Sequence, residues 1–254
     1  VRALKILLLV FLAVAVLLLA VGLLLPDSRR LERSIVVEAP PATVYAVLDG
    51  FRQFNRWSPW AGLDPKTEYQ YEGPPMGVGA RLSWHSAQKN VGSGSQEIVE
   101  DAINEKVRMR LVFSGFDSEN YSTLQLAAEG AHTRVTWIYE SQFHGNLLGR
   151  YFGLKLEDWV GPDYEKGLKA LQTFVAGLPK NEFGERVALV QAPADNSAGY
   201  QGYALRIGLA RDEGEGAALA LLQAYKNVAG LQHNGADWSE LGPDGVMRLY
   251  LPVR

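Results

Sequence analysis

From Ile6 to Leu25 the chain carries no charged or strongly polar side chain. At 1.5 Å per helical residue such a run reaches about 30 Å, the thickness of a bilayer's hydrocarbon core. Pro26 ends it, because proline has no amide hydrogen for the helical ladder. The pattern predicts one membrane-spanning helix within residues 1–27. A cleaved secretory signal is the competing reading, since Arg2 and Lys5 supply a positive start and Ala20 and Gly22 a small-x-small site. Leu23, Leu24 and Leu25 continue the apolar run past that site, so an uncleaved single-pass anchor is the expectation. Arg2 and Lys5 on one side face Arg29, Arg30 and Arg33 on the other, and the expected side for the soluble part is extracytoplasmic.

Beyond the anchor the periodicity shortens. Arg33 to Ala39 reads as a strand, and Pro40-Pro41-Ala42-Thr43 opens a short helix carrying Val44, Tyr45, Val47 and Leu48. Phe51, Phe54, Trp57 and Trp60 suggest a second short helix, broken at Ser58-Pro59. Between Lys66 and Glu140 apolar and polar positions alternate in short runs, which predicts strands at 67–71, 80–85, 95–100, 106–113, 121–126 and 133–139. In the clearest run Val107, Met109, Leu111 and Phe113 lie on one face and Lys106, Arg108 and Arg110 on the other, the signature of an antiparallel sheet with one wet side. The cover for the dry side comes next, as Leu147, Tyr151 and Leu154, then Tyr164, Leu168, Leu171 and Val175 at helical spacing. Gly161-Pro162 predicts a joint between two helical pieces.

Gly177-Leu178-Pro179-Lys180-Asn181 reads as a linker, after which a second unit spans 184–254. Its strands are expected at 186–191, 203–209 and 246–253, with a helix over 215–229 and a polar stretch through Asp244. The expected class is therefore α+β, with an anchor over 1–27, a main domain over 28–178 and a small α+β unit over 184–254.

Charge and composition narrow the chemistry. A net charge of −3 over 254 residues offers no basic field for nucleic acid phosphates, so no nucleic acid partner is expected. The absence of cysteine removes disulfides, thiolate nucleophiles and thiolate-bound zinc. The four histidines, His85, His132, His144 and His233, have no metal-site spacing, and no metal or cofactor is expected. Neighbouring acids such as Glu100 and Asp101, or Glu157 and Asp158, diverge on a strand or helix and read as solvated charges. The glycines from Gly73 to Gly79 and at Gly92-Ser93-Gly94 lack the setting of a phosphate loop and read as hairpin turns.

Several strings resemble the SRPBCC superfamily of START-like and polyketide-cyclase-like proteins over about residues 31 to 176. They are Glu32 to Val37 with Ala39-Pro40, Trp57-Ser58-Pro59-Trp60, Gly77-Val78-Gly79-Ala80, Val135-Thr136-Trp137, Gly149-Arg150-Tyr151-Phe152 and Gly161-Pro162-Asp163-Tyr164-Glu165-Lys166-Gly167-Leu168. The resemblance implies a helix-grip fold, a curved sheet wrapped on a long C-terminal helix, enclosing a cavity for lipids, sterols, polyketides or similar molecules. On that fold Trp57, Trp60, Trp84, Tyr121, Trp137, Tyr139, Phe152 and Trp159 would surround the cavity as ligand-binding residues or fill the core. The first functional expectation is a membrane-anchored protein that binds a small hydrophobic molecule or lipid without catalysis. A cyclase- or hydrolase-type enzyme, with His85, Tyr121 or Tyr139 as proton donor, is the alternative, and a structural envelope protein filled by its own aromatic rings is a third. The ending Arg248-Leu249-Tyr250-Leu251-Pro252-Val253 resembles the last strand of GyrI-like effector-binding domains, at about half the usual domain length.

Overall fold

A computed structural model of the chain describes residues 2–116, 118–180, 183, 186–210 and 213–254. The end of the expected linker, at Asn181, and the expected start of the second unit at 184 lie outside the described residues. The apolar run forms one helix, α1 (Arg2–Leu24), whose side chains are exposed along almost its full length. Among the described residues it is the one helix long and apolar enough to cross a membrane.

Seven antiparallel strands follow: β1 (Ser28–Val37), β2 (Glu68–Glu72), β3 (Arg81–His85), β4 (Ser93–Ala102), β5 (Lys106–Phe113), β6 (Glu119–Glu129) and β7 (His132–Gln142), in the sheet order β1-β7-β6-β5-β4-β3-β2. The first strand begins earlier than its apolar residues predict. It pairs with β7 from Ser28 opposite Gln142 to Val37 opposite Thr133, and as an edge strand it tolerates Arg29, Arg30 and Glu32 in its first half. Helix α2 (Pro41–Leu48) starts with proline at its first turn and buries every residue from Ala42 to Leu48. The aromatic helix expected over 51–60 contracts to a single 3-10 turn, Phe54–Arg56, because Pro59 disfavours helical geometry at Ser58.

The helical cover is α3 (Leu147–Gly153) followed by α4 (Leu156–Ala176), the long helix packed along β1 and β7. The joint therefore falls at Leu154-Lys155 and not at Gly161-Pro162, through which α4 runs unbroken. Pro162 is exposed, so the carbonyl that loses its helical donor can turn to water. Gly161 has its own reason: a Cβ there would meet the Arg33 guanidinium at 2.8 Å, and Arg33 binds Glu165 at 2.7 Å and also Glu157, tying the sheet edge to the helix.

The second sheet, in order β10-β11-β9-β8, comprises β8 (Val187–Gln191), β9 (Tyr203–Gly208), β10 (Trp238–Leu241) and β11 (Met247–Val253), with α5 (Glu215–Ala229) against it. Strand β10 lies inside the stretch expected to be irregular. It has four residues, of which Trp238 alone is buried, too few for alternation to register. The buried face of α5, with Ala218, Leu222, Tyr225 and Val228, joins α2 and the first sheet in one continuous apolar core. Gln53 Nε2 donates to the carbonyls of Val228 (3.0 Å) and Asn227 (3.3 Å) at the end of α5.

Candidate functional site: a cavity between sheet and helix

The alternation along β6 and β7 turns Asn120, Ser122 and Leu124, and Val135, Trp137, Tyr139 and Ser141, towards α4. The middle of this concave face is closed by aromatic packing. Trp137 stacks on Tyr164 with centroids 3.9 Å apart, and Trp57 and Trp60 meet Trp137 edge-on at 5.4 and 5.9 Å. Gly167 permits this approach, since a Cβ there would lie 2.7 Å from the Trp137 ring. Trp137 Nε1 donates to Ser122 Oγ at 2.7 Å and Trp60 Nε1 to Asp163 Oδ2 at 2.8 Å, so both polar handles are satisfied.

Beyond the plug, towards α3, a cavity of about 500 Å³ remains open. Its polar floor is a hydrogen-bonded string in which Asn120 Oδ1 accepts from Tyr139 Oη (2.8 Å) and Ser141 Oγ (2.7 Å). Its walls are apolar, with Phe113, Phe143, Leu156 and Val160 inside and Phe116, Leu148, Phe152 and Trp159 towards the opening. The roof is α3, seated on Phe143 because Gly149 and Gly153 lie one turn apart; a Cβ on either would meet the Phe143 ring at 2.9 Å. Tyr139 is the one titratable side chain among the described residues that line the cavity. Burial pushes its phenol up to about 12, so at neutral pH it stays protonated and donates to Asn120. With Asn120 saturated, the hydroxyl oxygens of Tyr139 and Ser141 retain lone pairs that could accept a hydrogen bond from a ligand.

The sequence-predicted residues divide into groups. Tyr139, Phe152 and Trp159 line the cavity. Trp57, Trp60 and Trp137 form the plug behind it. Trp84 packs on Phe113 at 6.0 Å, behind the cavity wall. Tyr121 lies on the other face of β6, its ring 4.2 Å beneath the Arg108 guanidinium and its hydroxyl donating to Glu119. His85 is exposed and bonded to Ser93 Oγ at 2.8 Å. Asn120, Ser141, Phe143, Phe116 and Val160 were not expected. The period of two offered a signal for the first: if Leu124 and Leu126 face inward, so do Ser122 and Asn120, while Tyr121 does not.

A second depression, about 590 Å³, lies where the two sheets' units meet, lined in part by Tyr45, Asp49, Asp101, Phe183 and Tyr225. Burial, with the Asp101 carboxylate adding to it, pushes the Asp49 carboxyl up to about 8. Tyr45 and the Gly77 amide oppose the shift without cancelling it.

An antiparallel sheet closed over a long helix, with an apolar cavity between them, defines a ligand-binding α+β domain of the helix-grip kind. Residues 28–176, more than half of the chain, match the family described as polyketide cyclase / dehydrase and lipid transport, and the chain belongs to that family. Similar solved structures include a solution structure from Thermobifida fusca, 20% identical with a TM-score of 0.47, covering 60% of this chain and 97% of that one. A crystal structure of a Chromobacterium violaceum protein is 19% identical with a TM-score of 0.40, covering 59% and 97%. Norcoclaurine synthase from Thalictrum flavum, in complex with dopamine and hydroxybenzaldehyde, is 10% identical with a TM-score of 0.49, covering 63% and 94%. No curated protein sequence matches the chain.

Proposed function

We propose that the protein is a membrane-tethered binding protein for a small hydrophobic molecule or lipid, held in the cavity between the sheet and α4 without covalent chemistry. The observation that carries this reading is the cavity itself: about 500 Å³, apolar walls and a hydroxyl-bearing floor. That volume lies within the range of roughly 300–1,000 Å³ typical of small-molecule sites. Catalysis is disfavoured because Tyr139, with its raised pKa, is a poor proton donor near neutral pH and no second titratable group lines the space among the described residues.

The anchor reading of α1 draws support from its packing. Gly22 is buried against Tyr151 and Leu147, a contact that removal of a signal would destroy. In this reading residues 1–27 hold the protein in the membrane, 28–178 bind the ligand on the extracytoplasmic side, and 184–254, with its partial likeness to a GyrI-like unit, braces α2 through α5.

The test is native mass spectrometry with lipid extraction on the full chain purified in detergent without added ligand. A stoichiometric apolar molecule is expected, and Val160→Trp, which fills the cavity from a half-buried wall position, should abolish its retention. An empty chain that also ignores hydrophobic dyes would instead favour a structural role in which the aromatic plug is the whole content of the grip.

A further inference from the structure

Helices α1 and α3 are locked together by contacts of three kinds. A Cβ on Gly22 would lie 3.0 Å from the Tyr151 ring and 3.2 Å from Leu147, so the helices meet with no room for a side chain. The Arg150 guanidinium donates to the carbonyls of Gly22 (3.2 Å) and Leu23 (3.0 Å), acceptors that the end of a helix leaves free, and it is held there by Asp27 at 3.0 Å. Tyr151 Oη donates to the Leu18 carbonyl at 2.5 Å.

The last contact fixes a depth. Leu18 precedes Leu24 by six residues, about 9 Å along the axis at 1.5 Å per residue. Where α1 crosses a bilayer, its apolar run ends at Leu25, so the Tyr151 hydroxyl sits below the boundary of the hydrocarbon core and α3 lies at that boundary. Beside it the surface is apolar: Phe116, Leu148, Phe152 and Trp159 are 63%, 71%, 50% and 57% exposed. They form one patch, with Phe152 6.4 Å from Phe116 and 6.1 Å from Trp159. All four line the opening of the 500 Å³ cavity. Exposed aromatic rings at this level suit the interfacial layer, where an apolar body and a polar edge are both accommodated.

We propose that this patch is immersed in the interfacial layer of the bilayer that α1 crosses, so that the cavity opens onto lipid and exchanges its ligand with the membrane directly. The inference rests on the tethered-binding reading above. The bilayer is favoured over a second copy or a soluble partner because α3, which carries Leu148 and Phe152, is itself packed on α1 at Gly22 and Leu18, and a protein covering the patch would have to enter the headgroup layer.

The test uses the full chain in phosphatidylcholine vesicles, with and without lipids brominated near the headgroup end of the acyl chain. Six tryptophans are present, so the signal is read as the difference between the native chain and Trp159→Phe. Quenching by brominated lipid that disappears in Trp159→Phe is expected. The paired variant Leu148→Asp with Phe152→Asp alters exposed positions only and should leave the protein floating with vesicles while slowing uptake of a pyrene-labelled fatty acid, a probe on the scale of the cavity of about 500 Å³, by about tenfold or more. A vesicle-bound protein whose Trp159 is quenched by aqueous acrylamide and not by brominated lipid would overturn the docking while sparing the anchor. A chain that fails to float would overturn the anchor and the docking together. Quenching without uptake of the labelled fatty acid would uphold the docking and overturn the binding reading.

Discussion

Asp49 ends α2 in a setting that opposes its charge. One carboxyl oxygen is buried without a hydrogen-bond partner, Asp101 lies close enough to repel the ionised form, and the raised pKa of about 8 follows from burial first and that repulsion second. The folded protein therefore holds a proton that the unfolded chain, at its ordinary value of 3.8, has released. Stability contributed this way is complete below pH 4 and is lost as pH rises towards 8, with a slope of up to about 1.4 kcal/mol per pH unit. Asp101 on β4, Tyr45 on the same helix and Tyr225 on α5 are the titratable groups facing it. Denaturant titrations between pH 5 and 8.5 should show the decline in the native protein and a much flatter profile in Asp49→Asn; equal slopes in both would refute the assignment. This residue was invisible in the sequence, where it precedes Gly50 and nothing marks it as buried. So was the cavity floor: Asn120 and Ser141 are polar residues at inward positions with no aromatic ring to mark them, whereas Tyr121, which has one, points the other way.

At the scale of elements, the α3 roof depends on what its glycines lack. Gly149→Ala would drive a methyl group to 2.9 Å from Phe143, a buried ring with little room to yield, and should cost about 1–3 kcal/mol. Gly216 near the start of α5 has no atom within 4 Å of its would-be Cβ, so Gly216→Ala should stabilise by up to about 1 kcal/mol through helix propensity alone. Thermal melts of the two variants should move in opposite directions; a shared direction would mean that α3 adjusts freely and the Phe143 seat is soft. The strands other than β10, together with α4 and α5, were legible because alternation and helical spacing persist over enough residues to stand out. The position of the helical joint was not, since Pro162 looks decisive in sequence while its exposure on α4 makes the lost hydrogen bond tolerable. The contact of α3 with α1 had no sequence signature, because Tyr151 and Gly22 are far apart in the chain and neither belongs to a periodic run that names the other.

For the whole molecule, the sequence suggests two soluble units and the packing joins them. The core runs without interruption from the grip through Val44 and Val47 of α2 to Leu222, Tyr225 and Val228 of α5 and on to Leu249 and Leu251 of β11. Gln53 adds directed bonds across the same joint, and Gly230, at φ 73°, is positioned where a Cβ would strike the Gln53 side chain at 2.8 Å. A joint of this kind makes the second unit part of the stability of the first. Leu222→Ala removes a fully buried side chain and should cost about 2–5 kcal/mol. If the units unfold as one, amide exchange should quicken by the same factor at Trp137 in β7 and at Leu251 in β11, although the lesion lies in α5. Faster exchange confined to β8, β9, β10, β11 and α5 would instead show that the second unit opens alone, and its bracing of α2 would then be a contact between neighbours and not a shared core. The choice bears on the cavity as well, because α2 packs against β6, β7 and α4, the elements that hold the plug and the floor in register.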